Sequence, residues 1–169
     1  MARKPLAAVN IFLLLSILFL NTEGISQENK TRSPFNKMNV IDLELLGPGG
    51  VYSINYERVL INGDKNKSTI RAGIGVITEI YFPVFYNHLF SFNKHHFELG
   101  IGTVLIWDVP DVYDMYVMGG LNIGYRFQKP DGKFMFKASY TPIIDLSYIE
   151  YQDVQIYPIW IGVTFGRCF

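Results

Sequence analysis

Acidic and basic residues recur at alternate positions in this chain, and their spacing limits the chemistry they could support. The set consists of Asp42, Glu44, Glu57, Arg71, Glu98, Arg126 and Lys137. Because side chains two residues apart share one face of a β-strand, each lies on the polar face of its own segment. A charge buried on such a face must be paired, since an isolated one costs several kcal/mol. The pattern therefore predicts a paired ionic network and not a catalytic centre.

Residues that commonly catalyse reactions or bind metals are few. The histidines are His88, His95 and His96. His95 and His96 must point to opposite faces of a strand, so at most His96 could join Glu98 in a metal site. The single cysteine, Cys168, excludes an internal disulfide and a multi-cysteine metal site. We expect no catalytic residue, no metal and no cofactor.

The carboxy-terminal segment Ile156–Phe169 has the clearest strand pattern. Large and mostly apolar residues occupy every second position back from the terminus, and the intervening residues are small or polar. This period of two predicts a strand with unlike faces. Shorter runs of the same alternation, each bounded by turn residues, precede it. They are Met38–Leu46, Val51–Leu60, Ser68–Thr78, Tyr81–Phe90, His95–Trp107, Tyr116–Gln128 and Lys133–Ile143.

A count of about eight alternating strands predicts an all-β fold, a single antiparallel up-and-down transmembrane β-barrel. A soluble β-sandwich would also alternate, because two packed sheets turn one face to a core and one to water. The barrel is favoured because nearly every segment carries the same large apolar face. The length of 169 residues, with 15% aromatic residues and 15 glycines, suits one barrel with aromatic girdles.

The amino-terminal residues predict export. Arg3 and Lys4 precede an apolar run over residues 6–20, which is short for a membrane helix, and a polar stretch of small residues follows. Residues 1–26 are therefore predicted to be a cleaved signal peptide, followed by a flexible periplasmic lead-in over 27–37 and the barrel over 38–169. Basic and acidic residues number 15 each, so no net charge indicates a nucleic-acid partner.

The predicted connections differ between the two ends of the barrel. The periplasmic ones are short and carry lysines, whereas the external ones include the longest, 145–155, and are acidic. This asymmetry is typical of membrane barrels. A barrel of about eight strands is filled by side chains or holds one small ligand. We predict that the charge network plugs it, with interior glycines leaving room for long Arg and Lys side chains. A narrow polar conduction path is the alternative.

From Asn39 to Phe169 the chain resembles the small eight-stranded outer-membrane barrels of the OmpA/OmpX type. It is similar, more closely, to uncharacterised outer-membrane barrel proteins of Bacteroidetes-type bacteria. The resemblance rests on the stretches VYSINYERVL, FPVFYNHLF, HHFELGIGT, GLNIGYRFQKPDGKFMFKASYTPI and IGVTFGRCF. It implies location in the outer membrane, contact with its lipid and lipopolysaccharide, and recognition by the barrel-assembly machinery. The family's carboxy-terminal assembly signal would here comprise Ile161, Val163, Phe165 and Phe169.

The expected function is that of a non-enzymatic integral outer-membrane barrel with a plugged interior and acidic external loops. It would act as a structural or interaction protein of the envelope. A narrow pore or transporter for small solutes is the first alternative, and a lipid-modifying envelope enzyme is the second. Enzymes of this architecture work near the outer face, whereas the histidines are expected near the periplasmic side. The sequence indicates no ligand, no protein partner and no oligomeric state.

Overall fold

The computed structural model describes residues 33–107, 115–145, 156–157 and 160–169, and these residues form strands and turns. The predicted signal peptide and residues 27–32 of the predicted lead-in lie outside the described residues. The strands are β1 (Asn39–Gly47), β2 (Gly50–Asn62), β3 (Asn66–Val76), β4 (Ile80–Phe92), β5 (His95–Trp107), β6 (Met115–Gln128), β7 (Phe134–Tyr140), β8 (Ile143–Asp145), β9 (Ile156–Tyr157) and β10 (Ile161–Cys168).

These elements form a closed antiparallel barrel. The hydrogen-bonded order runs from β5 through β4, β3, β2, β1, β10 and β7 to β6, and β5 also pairs with β6, which closes the ring. The ten elements make eight barrel strands, because β8 continues β7 in the same register along β6. Likewise β9 precedes β10 along β8 and β7, with the register shifted by one residue between them. Pro142, which has no N–H to donate, lies where β7 and β8 separate. The predicted eight-stranded barrel is confirmed, and the sandwich is excluded.

The start of the first barrel strand and the end of the last one meet at one rim. Asn39 and Phe169 exchange backbone hydrogen bonds of 3.2 and 2.9 Å, which joins the first strand to the last. We call this rim the terminal end; the turns Gly63–Lys65, Asn93–Lys94 and Lys129–Lys133 also lie there. The opposite rim, called the far end, carries the Pro48–Gly49 turn. The connections 108–114 and 146–155 lie outside the described residues. They hold Asp108, Asp111, Glu150 and Asp153, the acidic residues of the connections predicted to be external.

The two faces of the barrel wall have opposite character. On the outer face Ile54, Ile101 and Ile161 are 59%, 63% and 61% exposed, and other large apolar side chains line the same face. On the inner face Glu57 and Arg126 are 0% exposed. This is the reverse of the arrangement expected of a water-soluble domain, where charged residues are almost never fully buried unless paired. Among the described residues, no helix is long and apolar enough to cross a membrane.

Candidate functional site: the barrel interior

Arg71 holds two carboxylates of β1 in the first of two ionic clusters. Asp42 and Glu44 are two residues apart, so both face inward, and Arg71 reaches them from β3 across β2. Its Nη2 lies 2.6 Å from Asp42 Oδ1, its Nε donates to Asp42 Oδ2 at 3.3 Å, and its Nη1 lies 3.1 Å from Glu44 Oε1. The two-point contact with Asp42 uses the planar fork of the guanidinium, which makes this pairing directional.

Neutral side chains satisfy the remaining acceptors of this cluster. Asn55 Nδ2 donates to Asp42 Oδ1 at 3.0 Å. Ser53 Oγ lies 3.3 Å from Glu44 Oε2, and Thr164 Oγ1 lies 3.3 Å from Glu44 Oε1. Three barrel strands, β2, β3 and β10, thus contribute groups around the pair of carboxylates on β1. Such saturation offsets the cost of burying them.

Arg126 is the centre of the second cluster. Its Nη1 contacts Glu57 Oε1 in a short ion pair and lies 3.4 Å from Glu98 Oε2. Lys137 Nζ lies 3.2 Å from Glu98 Oε1, and Asn122 Nδ2 donates to the same oxygen at 2.7 Å. Glu57 stands on β2 and Arg126 on β6, which are separated by three barrel strands in either direction. Their ion pair therefore crosses the lumen.

The seven residues of the predicted network are thus brought together, in two clusters. All are buried: Asp42 is 2%, Glu44 1%, Glu57 0%, Arg71 4%, Glu98 0%, Arg126 0% and Lys137 1% exposed. Their charges alone leave one carboxylate in excess. Lys67, which is 0% exposed, supplies a fourth buried cation.

Lys67 was missed because the sequence pattern placed it in a turn. β3 begins at Asn66, two residues earlier than predicted, so Lys67 shares the inner face with Thr69 and Arg71. Its Nζ donates to Ser91 Oγ at 3.0 Å. The alternation that identified Arg71 would have identified Lys67 had it been followed four residues back along the strand.

Ser91 and His96 form a hydrogen-bonded pair beside Lys67. His96 Nε2 lies 3.0 Å from the backbone carbonyl of Gln128, and Nδ1 lies 2.9 Å from Ser91 Oγ. Because a carbonyl oxygen only accepts, Nε2 carries the hydrogen and Nδ1 accepts one from the Ser91 hydroxyl. His96 does share the inner face with Glu98, as expected, but its two nitrogens are engaged elsewhere.

Phe35 closes the terminal end of the lumen. Its side chain is 3% exposed and packs with Val59 and Leu89. Lys67 Nζ lies 4.9 Å from the centre of its ring, and the His96 ring centre lies 5.1 Å away.

The backbone around Phe35 is anchored to the barrel rim. Asn62 accepts from the Phe35 N–H and donates to its carbonyl, both at 2.8 Å. The N–H of Asn36 donates to the Pro130 carbonyl at 2.8 Å. Residues 33–37, the last part of the predicted lead-in, therefore lie docked against the terminal end.

The β1–β2 turn closes the lumen from the other side. Residues Gly47, Pro48, Gly49 and Gly50 are all buried, and Gly50 has a φ of +94°, which favours glycine. The Gly49 carbonyl oxygen would lie only 1.8 Å from a Cβ at position 75. The absence of a side chain at Gly75 is therefore what lets the turn fold inward.

The other interior glycines make room for neutral groups. A Cβ at Gly73 or Gly100 would meet Asn55 or Asn87, and one at Gly102 or Gly120 would meet Phe85. The expectation that these glycines accommodate long Arg and Lys side chains is wrong. The cations instead reach carboxylates on other strands of the barrel wall. Between Arg71, Phe85 and Lys137 the remaining gap is too small for a water molecule.

The outward row of β10 carries the predicted assembly signal. Ile161, Phe165 and Phe169 are 61%, 46% and 53% exposed, and Val163 on the same face is partly buried. Among the described residues, no group of three or more His, Cys, Asp or Glu side chains is arranged to hold a metal ion. Comparisons with protein-family models, with curated proteins and with solved structures found no match for this chain.

Proposed function

We propose that this barrel spans the outer membrane as a sealed, non-enzymatic structural or interaction protein of the envelope. The observation that carries the proposal is the continuous outer face of exposed apolar side chains around a buried charged interior. Lipid would cover that face without any further partner. A closed barrel suits a bilayer because it leaves no backbone edge unpaired in hydrocarbon.

The dimensions of the wall fit a bilayer. β2 and β5 have 13 residues each. At about 3.3 Å per residue such a strand is about 43 Å long, and at a tilt of about 40° it rises about 33 Å. The apolar band of known membrane barrels is about 25 Å tall, so each end would reach the polar headgroups. Exposed Arg58 and Arg167 lie toward the terminal end, where their long side chains could reach the interface.

The interior argues against the pore alternative. An ion entering from the terminal end would meet Phe35, then the Arg126 cluster, then the gap beside Arg71 that does not admit water. The inward-folded Gly47–Gly50 turn covers the other side. Conduction would require displacement of a docked segment, a turn and two sets of ion pairs.

The enzyme alternative has one feature in its favour, the Ser91–His96 pair, because a hydroxyl hydrogen-bonded to an imidazole can act as a nucleophile. Both side chains are buried, at 3% and 1% exposed, and Phe35 packs against His96. No substrate could approach Ser91 without displacing Phe35. We therefore assign the pair to the polar filling of the lumen.

On this proposal, outer-membrane lipid contacts the apolar band and the barrel-assembly machinery binds the β10 row of Ile161, Val163, Phe165 and Phe169. The terminal end, with exposed Lys65, Lys94, Lys129 and Lys133, faces the periplasm. Lipopolysaccharide would then surround the far end. An interaction role would be exercised through that end.

A charge placed on the apolar band tests the membrane location. Ile101 is the middle residue of β5 and is 63% exposed. In a bilayer, Ile101→Arg should destabilise the barrel by about 2–4 kcal/mol, whereas at an exposed site in water it should change stability by less than about 0.5 kcal/mol. Asp64→Arg, in an exposed terminal-end turn, is the matched control.

Fractionation and conductance complete the test. The protein should sediment with the outer membrane and run differently on a gel before and after boiling, and it should show no steady conductance in a planar bilayer. Soluble protein that tolerates Ile101→Arg would overturn the membrane location. Unit conductance steps would favour the pore, and altered membrane lipids in a deletion strain would favour the enzyme.

A further inference from the structure

The inner face changes character near the far end. On the terminal-end side of Phe85 the inner face is charged. On the far-end side Val104, Ile106 and Ile143 are 1%, 4% and 3% exposed and face the lumen. Phe85 packs with Val104 and Ile106 and so separates the two regions. These inward side chains do not contact lipid on the outer face, and they take no part in the ionic clusters. Neither role accounts for their apolar character.

These side chains surround a cavity of about 220 Å³. Its walls are Val104, Ile106, Met118, Ile143 and Trp160, with Tyr81, Pro48 and Glu79 completing the lining. An apolar protein cavity of about 150 Å³ is enough to bind benzene. The space therefore suits a molecule of about one ring with a short chain.

One acidic group defines the polar side of the cavity. Glu79 is half-buried in the lining, and its Oε2 accepts a hydrogen bond of 2.9 Å from the Tyr81 hydroxyl. A mostly apolar pocket with one placed polar group is the usual form of a small-ligand site. A carboxylate there is complementary to a cation, and the aromatic residues Tyr81 and Trp160 also favour one.

We propose that this far-end cavity binds a small hydrophobic amine, with its apolar body between Val104, Ile106 and Met118 and its ammonium group on Glu79. The site goes beyond the sealed-barrel function, and it does not depend on where the barrel resides. Should the barrel prove soluble, the same titration is made in buffer.

Phenethylamine and its neutral counterpart phenethyl alcohol are suitable probes. Binding is followed by NMR of isotope-labelled methionine methyl groups in barrels reconstituted into lipid nanodiscs. Met118 lines the cavity, Met115 is 62% exposed on the outer face, and Met135 is 0% exposed near the terminal end. Met118 thus reports the site, Met115 reports partition into lipid, and Met135 reports an intact fold.

We expect a saturable shift of the Met118 signal, with the amine binding about fivefold tighter than the alcohol. Glu79→Gln should reduce that ratio to about one while leaving alcohol binding intact. Val104→Phe should fill the cavity and abolish the shift without moving the Met135 signal. Shifts of Met118 and Met115 in parallel, without saturation, would mean partition into lipid only and would overturn the proposal. So would an unchanged ratio in Glu79→Gln.

Discussion

Removal of Arg126 should be among the most damaging single changes in the lumen. Its guanidinium contacts Glu57 and Glu98, and it also donates from Nε and Nη2 to Gln128 Oε1 at 2.9 and 2.6 Å. In Arg126→Met, Glu98 keeps its ion pair with Lys137. Glu57 loses the ion pair that balances its charge, at a position with 0% exposure.

The expected loss follows from that difference. Breaking a buried pair by removing one partner costs about 3–5 kcal/mol, because the remaining charge stays buried without compensation. Replacing both partners with apolar residues of similar volume is often close to neutral. Arg126→Met combined with Glu57→Leu should therefore recover most of the stability, less about 1–2 kcal/mol for the acceptors left at Gln128 and Glu98. The double variant should therefore be about 2–3 kcal/mol more stable than Arg126→Met alone.

The assay is reversible urea unfolding of the refolded barrel in lipid vesicles, followed by tryptophan fluorescence and by gel mobility without boiling. Arg58→Met is the matched control, because Arg58 is an exposed arginine of β2, and its loss should change stability by less than about 0.5 kcal/mol. Equal effects of the two arginine changes would refute the reasoning. So would a double variant no more stable than Arg126→Met alone.

Three further changes test how the lumen is filled and closed. Lys67→Met should cost only about 1 kcal/mol in the same unfolding assay, because Nζ contacts neutral oxygens of Ser91 and of the Asp64 backbone; a loss as large as that of Arg126→Met would contradict this. Phe35→Ala should open the terminal end, which is measured by maleimide labelling of a Ser91→Cys reporter in a Cys168→Ser background. Labelling should rise by about tenfold or more, because each 1.4 kcal/mol of lost docking energy multiplies the open population about tenfold. Pro34→Ala, the control, should leave labelling unchanged. Gly75→Ala should lower the free energy of unfolding in the same assay by about 1–3 kcal/mol, because the new Cβ meets the Gly49 carbonyl. Gly124→Ala is the control and should cost less, because the nearest atom to its Cβ would be 3.1 Å away.

Alternation was enough to predict which face each charged residue occupies. A strand has a side-chain period of two, so once one face of β1 is inward, Asp42 and Glu44 must both be inward whatever the twist of the sheet. The same argument applies to Glu57 on β2 and Arg126 on β6. What alternation does not contain is the stagger between strands. The pairing of Glu57 with Arg126 across the lumen depends on that stagger, so the partners could not be assigned from the sequence.

Two features escaped prediction for different physical reasons. Phe35 lies in a segment without periodicity, and its docking depends on Asn62 and Pro130, which are distant in sequence. The inward fold of the Gly47–Gly50 turn depends on the bare backbone at Gly75. The interior glycines were recognised, but long Arg and Lys side chains were expected beside them because those side chains are large. Which side chain lies beside each glycine depends on the positions of the neighbouring strands. Neither closure has a local signal that a reading of one strand at a time could detect.

The cross-lumen ion pair has a consequence for how the strand register is specified. Contacts between apolar side chains and lipid resemble one another, so the outer face discriminates weakly between registers in a bilayer. A slip of one residue would turn the inner residues of a strand outward. On the proposed membrane location, that slip in β2 or β6 would turn Glu57 or Arg126 toward lipid, where an exposed charge destabilises the barrel. The network therefore favours one register from inside the barrel, and Arg126, which links β2, β5 and β6, contributes to three strands at once.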